Sequence, residues 1–251
     1  MAGPRRDTVL EALEPVTDPE LDRSIVELEY VEEIDVDGEA VTVTITLPTA
    51  WCSPAFAWMM TVDARDALEA LPSVETATVV LEDHMHETEI TRGVNERRSF
   101  EETFPDADGG VEAVRAELDR KARIARQYDA VEALLEAGLE PAQVVDLRLG
   151  DLEGIGDGEK ATVYLHDRAV AVTVPAAPLV SYLEKARETG VATDADDVLF
   201  RTPEGEVVDP GGFEVVHRRG RLAKVNMSGQ AGICSGLHEA RRGRLEESTG
   251  D

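Results

Sequence analysis

The fold is decided by residues 40–54, which read AVTVTITLPTAWCSP. Apolar side chains alternate with threonines as far as Leu47, which is the pattern of a half-buried β-strand. Ser53 and Pro54 then suit the cap and the first position of a helix, and apolar residues recur after them at helical spacing. The stretch therefore predicts a strand, a short loop that carries Cys52, and a helix.

The elements on either side complete a small α+β module. We predict, in chain order, a helix over residues 7–14, strands over 28–36 and 40–47 joined at Asp37–Gly38, a helix over 54–71 and a strand over 75–82. Asp-Gly is a preferred tight hairpin turn. The expected sheet is short and either mixed or antiparallel.

The rest of the chain divides by composition. A polar segment that contains Pro105 and Gly110 follows the module, and beyond it lie a long charged helix and a second β-hairpin. We predict a module over residues 1–92, a linker over 93–110, a mainly helical domain with a hairpin over 111–212, and a basic tail over 213–251.

The net charge of the chain limits the classes of partner that it can bind. The 251 residues carry a formal net charge of −27 and include only four lysines. Such a surface suits concentrated salt, and it repels nucleic acid unless a basic segment such as the tail overrides it. Since no secretory signal and no apolar run of membrane-spanning length is visible, we expect a cytoplasmic protein with no membrane partner.

The two cysteines fall in different predicted domains, so a disulfide is not expected. Cys52 lies just before the predicted helix, whose N-terminus favours the thiolate, the form that binds iron. The alternative is a packed cysteine between Trp51 and the helix. Cys234 lies four residues before His238, a spacing that can bind a metal ion but supplies only two ligands.

A family resemblance rests on two sequence features. The first is the run Val9-Leu10-x-x-Leu13-x-x-Val16-x-Asp18-Pro19-Glu20-Leu21-x-x-Ser24-Ile25-Val26-x-Leu28, and the second is Thr46-x-Pro48-x-x-x-Cys52. Together they resemble the PaaD/SufT-type family of metal–sulfur cluster assembly proteins over residues 7–90. The chain departs from that family in having Cys-Ser-Pro where members often have Cys-Pro.

The resemblance implies a factor that assembles or carries iron–sulfur clusters and is not an enzyme. It implies that Cys52 is the reactive cysteine, that the acidic turn of Asp18 and Glu20 lies close to it, and that an iron–sulfur cluster or iron binds transiently. Client apoproteins and other cluster-assembly proteins are the implied partners. An Asp18 that only caps its turn is the structural alternative.

Two histidines extend the candidate metal site. His84 and His86 lie two residues apart, hence on one face if the strand continues, and imidazole binds iron or zinc. With Cys52 they would complete a mixed site, although a polar strand end also explains them. Because one thiol cannot fill four cluster positions, holding a cluster requires a bridging homodimer or an external thiol.

The C-terminal half resembles a degenerate tyrosine-recombinase catalytic domain. The resemblance includes His238-x-x-Arg241, but Glu140 replaces the phosphate-binding arginine and no tyrosine follows Tyr182. The domain should therefore not cleave DNA. It leaves open a nucleic-acid-binding or regulatory protein that uses the basic tail. A thiol-dependent enzyme with His84 or His86 as base is a third alternative.

Overall fold

The computed structural model of the protein describes residues 3–107, 110–156 and 158–249, and for Ser235, Glu239 and residues 242–249 it describes the backbone alone. The predicted segments that include residues 1–2, 108–109 and 250–251 thus extend partly outside the described residues. The chain divides into two compact units, which we call unit 1 (Met1–Arg115 with Met227–Asp251) and unit 2 (Ala116–Asn226). The segment boundaries after residues 92, 110 and 212 stay predictions.

Helices dominate the chain. They are α1 (Arg6–Leu13), α2 (Pro54–Glu69), α3 (Glu87–Asn95), α4 (Phe100–Thr103), α5 (Val111–Glu136), α6 (Pro141–Asp146), α7 (Ala176–Glu188) and α8 (Phe213–Thr249), with single 3-10 turns at Leu149–Asp151 and Pro210–Gly212. Within the described part of the chain, none of the helices has the length and apolar character to cross a membrane.

The strands form three small sheets. They are β1 (Thr17–Asp18), β2 (Arg23–Ser24), β3 (Val31–Asp37), β4 (Ala40–Thr46), β5 (Thr76–Glu82), β6 (Leu152–Glu153), β7 (Lys160–Leu165) and β8 (Val170–Pro175). Their orders are β1–β2, β3–β4–β5 and β6–β7–β8. The predicted α+β class is confirmed.

Unit 1 is built around the mixed sheet β3–β4–β5. The predicted hairpin of β3 and β4 is confirmed: Asp37 lies opposite Ala40, and Gly38 takes φ +62° in the turn, a conformation that a residue without Cβ adopts easily. β5 pairs parallel with β4, with Val43 opposite Val79. The apolar residues of β4 that alternate in the sequence are buried in the core.

The parallel pairing places two loops at one edge of the sheet. β4 reaches β5 through the crossover helix α2, as parallel strands require. Thr46 pairs with Glu82, so both strands end together and the loop 47–53 lies beside the turn 83–86. The carboxyl ends of parallel strands are where open α/β sheets bind ligands.

Helix α3 extends from the end of the predicted module into the predicted linker, which also contains α4. α3 buries Ile90 and Val94 completely. The Asn95 amide donates to the carbonyl of Val79 (2.8 Å) and accepts its N–H (3.0 Å), while the Thr91 hydroxyl accepts the N–H of Leu81 (3.0 Å). These polar side chains of α3 thus hydrogen-bond the backbone groups on the free edge of β5.

Unit 2 contains the predicted second hairpin, β7–β8. Its turn at His166, Asp167 and Arg168 has three successive positive φ angles. Tyr182 of α7 is fully buried, and its hydroxyl donates to the carbonyl of Leu199. Residues 197–201 take part in two isolated β-bridges, of Val198 with Arg148 and of Arg201 with Val207.

The basic tail is helical. α8 runs from Phe213 to Thr249, and its residues from Met227 onward belong to unit 1. The sequence alone predicts a tail separate from the N-terminal module. The second cysteine therefore lies in the same compact unit as the first.

Candidate functional site

The loop between β4 and α2 carries Cys52 at the carboxyl edge of the sheet. The Cys52 N–H donates to the carbonyl of Thr49 (3.3 Å), and Pro54 begins α2 as predicted. Ser53 occupies the cap position, although its side chain makes no capping hydrogen bond. Cys52 is half-buried, whereas Trp51 is 76% exposed. The loop thus holds a thiol beside an exposed aromatic ring.

His84 holds this loop from the turn after β5. Its Nε2 lies 2.9 Å from the carbonyl oxygen of Cys52, and its Nδ1 lies 3.1 Å from the backbone nitrogen of His86. A neutral imidazole has one donor and one acceptor, so accepting the His86 N–H at Nδ1 assigns the proton to Nε2, which donates to Cys52. Burial lowers the pKa of His84, which favours this neutral form. To bind a metal ion, His84 would have to give up one of these bonds.

His86 has different surroundings. β5 ends at Glu82 and Asp83 takes φ +55°, so the strand does not continue to the two histidines and the condition for a shared strand face is not met. The His86 ring meets that of Phe104 edge-on at 5.4 Å between centroids, and it lines a pocket with Ser53. The structure therefore brings His84 to the Cys52 carbonyl and His86 to the ring of Phe104.

Asp18 is buried within its turn. Its Oδ1 accepts the N–H groups of Glu20 (2.9 Å) and Leu21 (3.1 Å), and its Oδ2 accepts the hydroxyl of Tyr30 (3.3 Å). Burial raises the pKa of Asp18, while these hydrogen bonds act to lower it. The turn-capping role that the sequence left open is thus present in the geometry.

The environment of Cys52 disfavours its thiolate. Burial, followed by the charges of Asp18, Cys234 and Glu20, raises the pKa of Cys52 to about 12, and the Ser53 N–H only partly opposes this. The N-terminus of α2 therefore acts in the predicted direction through the Ser53 N–H, but burial and nearby negative charge outweigh it. Asp18 and Glu20, which the sequence analysis grouped with Cys52, lie within electrostatic range of it.

Cys234 of α8 is the residue that the sequence analysis kept apart from this site. It is half-buried and lines a cavity of about 140 Å³ with Tyr30 and His238. Arg241 of the same helix donates to the carbonyl of Leu47, at the start of the Cys52 loop. The only sequence signal was the spacing of Cys234 and His238, which does not indicate where that helix face packs.

No preformed multidentate metal site is present among the described residues: no three His, Cys, Asp or Glu side chains are grouped to hold an ion. A cluster or iron ion held at Cys52 would therefore take at least part of its ligands from outside the chain or from a second copy. The bridging homodimer and the external thiol both stay predictions.

The comparisons with known proteins identify the module that carries this loop. Residues 6–79 match the family described as iron-sulfur cluster assembly protein. An uncharacterized protein of Methanocaldococcus jannaschii is 30% identical over 93 residues, which are 37% of this chain and 96% of that protein. The chain belongs to the iron–sulfur cluster assembly family. Its family module contains Cys52, Asp18 and Glu20.

A second relative in the comparisons carries a functional name. An iron-sulfur cluster carrier protein of Synechocystis is 38% identical over 73 residues, or 29% of this chain. The chain spans only 20% of the length of that relative. The likeness therefore concerns the iron–sulfur cluster assembly module, and the activity and partners of the whole protein are proposals.

Proposed function

We propose that the chain assembles or carries iron–sulfur clusters and binds a cluster, or iron, transiently through Cys52. The observation that carries the proposal is the position of Cys52 in a family module, at the edge of the sheet where two strand ends meet. Asp18 and Glu20 set the electrostatic environment of the thiol. Client apoproteins and other cluster-assembly proteins are the proposed partners.

The high pKa of Cys52 supports transient binding. A protonated thiol is a poor nucleophile and resists oxidation, so the free protein keeps Cys52 inert. When iron binds, the S–H bond breaks, an S–Fe bond forms and the proton passes to solvent. Because reprotonation is favourable in this environment, the same thiol releases iron readily to a stronger set of ligands.

The hydrogen bond of His84 favours a carrier over a thiol-dependent enzyme. An enzymatic cysteine needs a lowered pKa and a base within reach of its sulfur. Here the His84 Nε2 bonds the Cys52 carbonyl oxygen, and the pKa of Cys52 is raised. In our proposal His84 is a positioning residue that fixes the loop, in place of the ligand role predicted from the sequence.

The basic tail gives less support to the nucleic-acid alternative. Arg241 donates to the carbonyl of Leu47 and forms an ion pair with Asp83. A guanidinium engaged in this way would have to leave its partners to contact a phosphate. At least one positive charge of the tail is therefore paired within unit 1.

Anaerobic reconstitution with ferrous iron and sulfide in concentrated salt tests the proposal. We expect visible cluster absorption and bound iron in the wild type and neither in Cys52→Ala. Ser53→Ala is the matched control, since the Ser53 side chain makes no capping hydrogen bond. Equal iron and absorption in the wild type and Cys52→Ala would reject Cys52 as the ligand, and no absorption in either would reject cluster holding.

A further inference from the structure

One face of α8 contacts the acidic turn and the start of the Cys52 loop. Gln230, Cys234, His238 and Arg241 follow one another at intervals of three or four residues, so they lie on the same side of the helix. All four belong to the part of α8 that lies in unit 1. This face is where the second thiol of the chain is found.

Contacts at both ends of this face fix its position. The Gln230 amide donates to Glu20 (2.9 Å), in the turn capped by Asp18. Eleven positions further on, Arg241 donates to the carbonyl of Leu47, where the Cys52 loop begins. Cys234 lies between these two contacts.

The middle of the face lines a cavity with polar walls. Cys234, His238 and Tyr30 border it, and the rings of His238 and Tyr30 are 5.8 Å apart between centroids. The Tyr30 hydroxyl donates to the buried Asp18 (3.3 Å). A hydrogen-bonded pair of side chains thus connects this cavity to the acidic turn near Cys52.

We propose that Cys234 is the second thiol of the Cys52 site, so that one chain offers two thiolates to a thiophilic metal ion or cluster. The inference rests on the proposed function and deepens it by naming a second ligand. Two thiolates suit iron or zinc and fill two of four tetrahedral positions. The two remaining positions stay open to an acceptor protein, a small thiol or a second copy.

The binding step balances in protons and bonds: two S–H bonds break, two S–metal bonds form, and two protons pass to solvent.

Two measurements on the full chain test the inference. The first uses a bifunctional thiol reagent that becomes fluorescent only when both of its ends react within one molecule, applied at about pH 10 so that part of Cys52 is ionised. The second titrates Cd²⁺ and records the thiolate-to-metal charge-transfer absorption, whose amplitude follows the number of thiolate ligands. The variants are Cys52→Ala, Cys234→Ala and Cys234→Ser, and Ile233→Ala is the control at an exposed neighbouring position.

We expect intramolecular fluorescence in the wild type and Ile233→Ala and none in the cysteine variants. We also expect the Cd²⁺ amplitude to fall to about half in Cys52→Ala and in Cys234→Ala. A wild-type amplitude in both Cys234 variants, or no cross-link in the folded wild type, would overturn the inference. Circular dichroism identifies any variant that fails to fold, and Cys234→Ser then replaces Cys234→Ala.

Together with the reconstitution experiment, these measurements distinguish a failure of the two-thiol inference from a failure of the proposed function. If reconstitution depends on Cys52 while the Cys234 variants retain the full Cd²⁺ amplitude, the proposed function stands and the second thiol is rejected. If the wild type binds Cd²⁺ through both thiols but forms no cluster with iron and sulfide, the two-thiol site stands and cluster holding is rejected.

Discussion

The rate at which Cys52 reacts with iodoacetamide should rise with pH much more steeply than that of an ordinary cysteine. Only the thiolate attacks the reagent, and the pKa of Cys52 is raised to about 12, first by burial and then by neighbouring negative charge. The rate should therefore rise about 1000-fold between pH 7 and pH 10, whereas an unperturbed thiol rises about 30-fold and levels off.

The assay uses brief alkylation of the full chain in concentrated potassium chloride, followed by digestion and mass spectrometry. The peptides of Cys52 and Cys234 are quantified separately, and circular dichroism verifies the fold at each pH. Protein denatured in guanidinium chloride is the control that removes burial. Because burial is the first cause, concentrated salt should leave the profile steep, since salt screens mainly exposed charges.

A plateau in the Cys52 rate between pH 8 and pH 9 in the folded protein would refute this reasoning. So would a folded profile that coincides with the denatured one. Either result would mean that water or a flexible loop solvates the thiolate, and it would restore the activation by the helix N-terminus that the sequence suggests.

Three further predictions concern single residues. Asp18→Asn should speed the alkylation of Cys52 at pH 9, because it removes a carboxylate that raises its pKa, and an unchanged rate would contradict this. Asp18→Asn should also raise the free energy of unfolding at pH 7. Burial raises the pKa of Asp18, so the fold disfavours the charged carboxylate that the substitution removes. This gain in stability should vanish below about pH 4. Gly93→Ala should lower the free energy of unfolding in urea by about 2 kcal/mol, since a Cβ would lie 2.8 Å from the Trp58 ring. An unfolding midpoint at or above that of the wild type would show that α3 can shift. Arg123→Ala should cost about 3 kcal/mol in thermal unfolding because two carbonyl groups of unit 2 lose their buried guanidinium donor, and a loss below about 1 kcal/mol would mean that water replaces it.

Local patterns were sufficient to predict the framework of unit 1. The alternation in residues 40–47 and the turn at Gly38 predict the hairpin because each depends on neighbouring residues alone. Helix α3 was missed because Thr91 and Asn95, which resemble linker residues, bond the edge of β5. That partner lies elsewhere in the chain, so no local pattern indicates it.

The site was harder to predict because its geometry depends on long-range pairing. Cys52 could be singled out by its place before a helix, yet its pKa depends on burial that the sequence does not display. The contact of His84 with the Cys52 carbonyl follows from the parallel pairing of β4 and β5. Cys234 was missed because the tail carried no pattern that showed where it packs.

The contact of α8 with the start of the Cys52 loop has a consequence for the order of events during synthesis. Leu47 and Arg241, which hydrogen-bond to each other, are separated by 194 positions. At ordinary rates of translation, about 10–40 s pass between the synthesis of these two residues. The Cys52 loop therefore leaves the ribosome without its contact to α8, and the nascent chain has an interval in which it contains only the first of its two thiols.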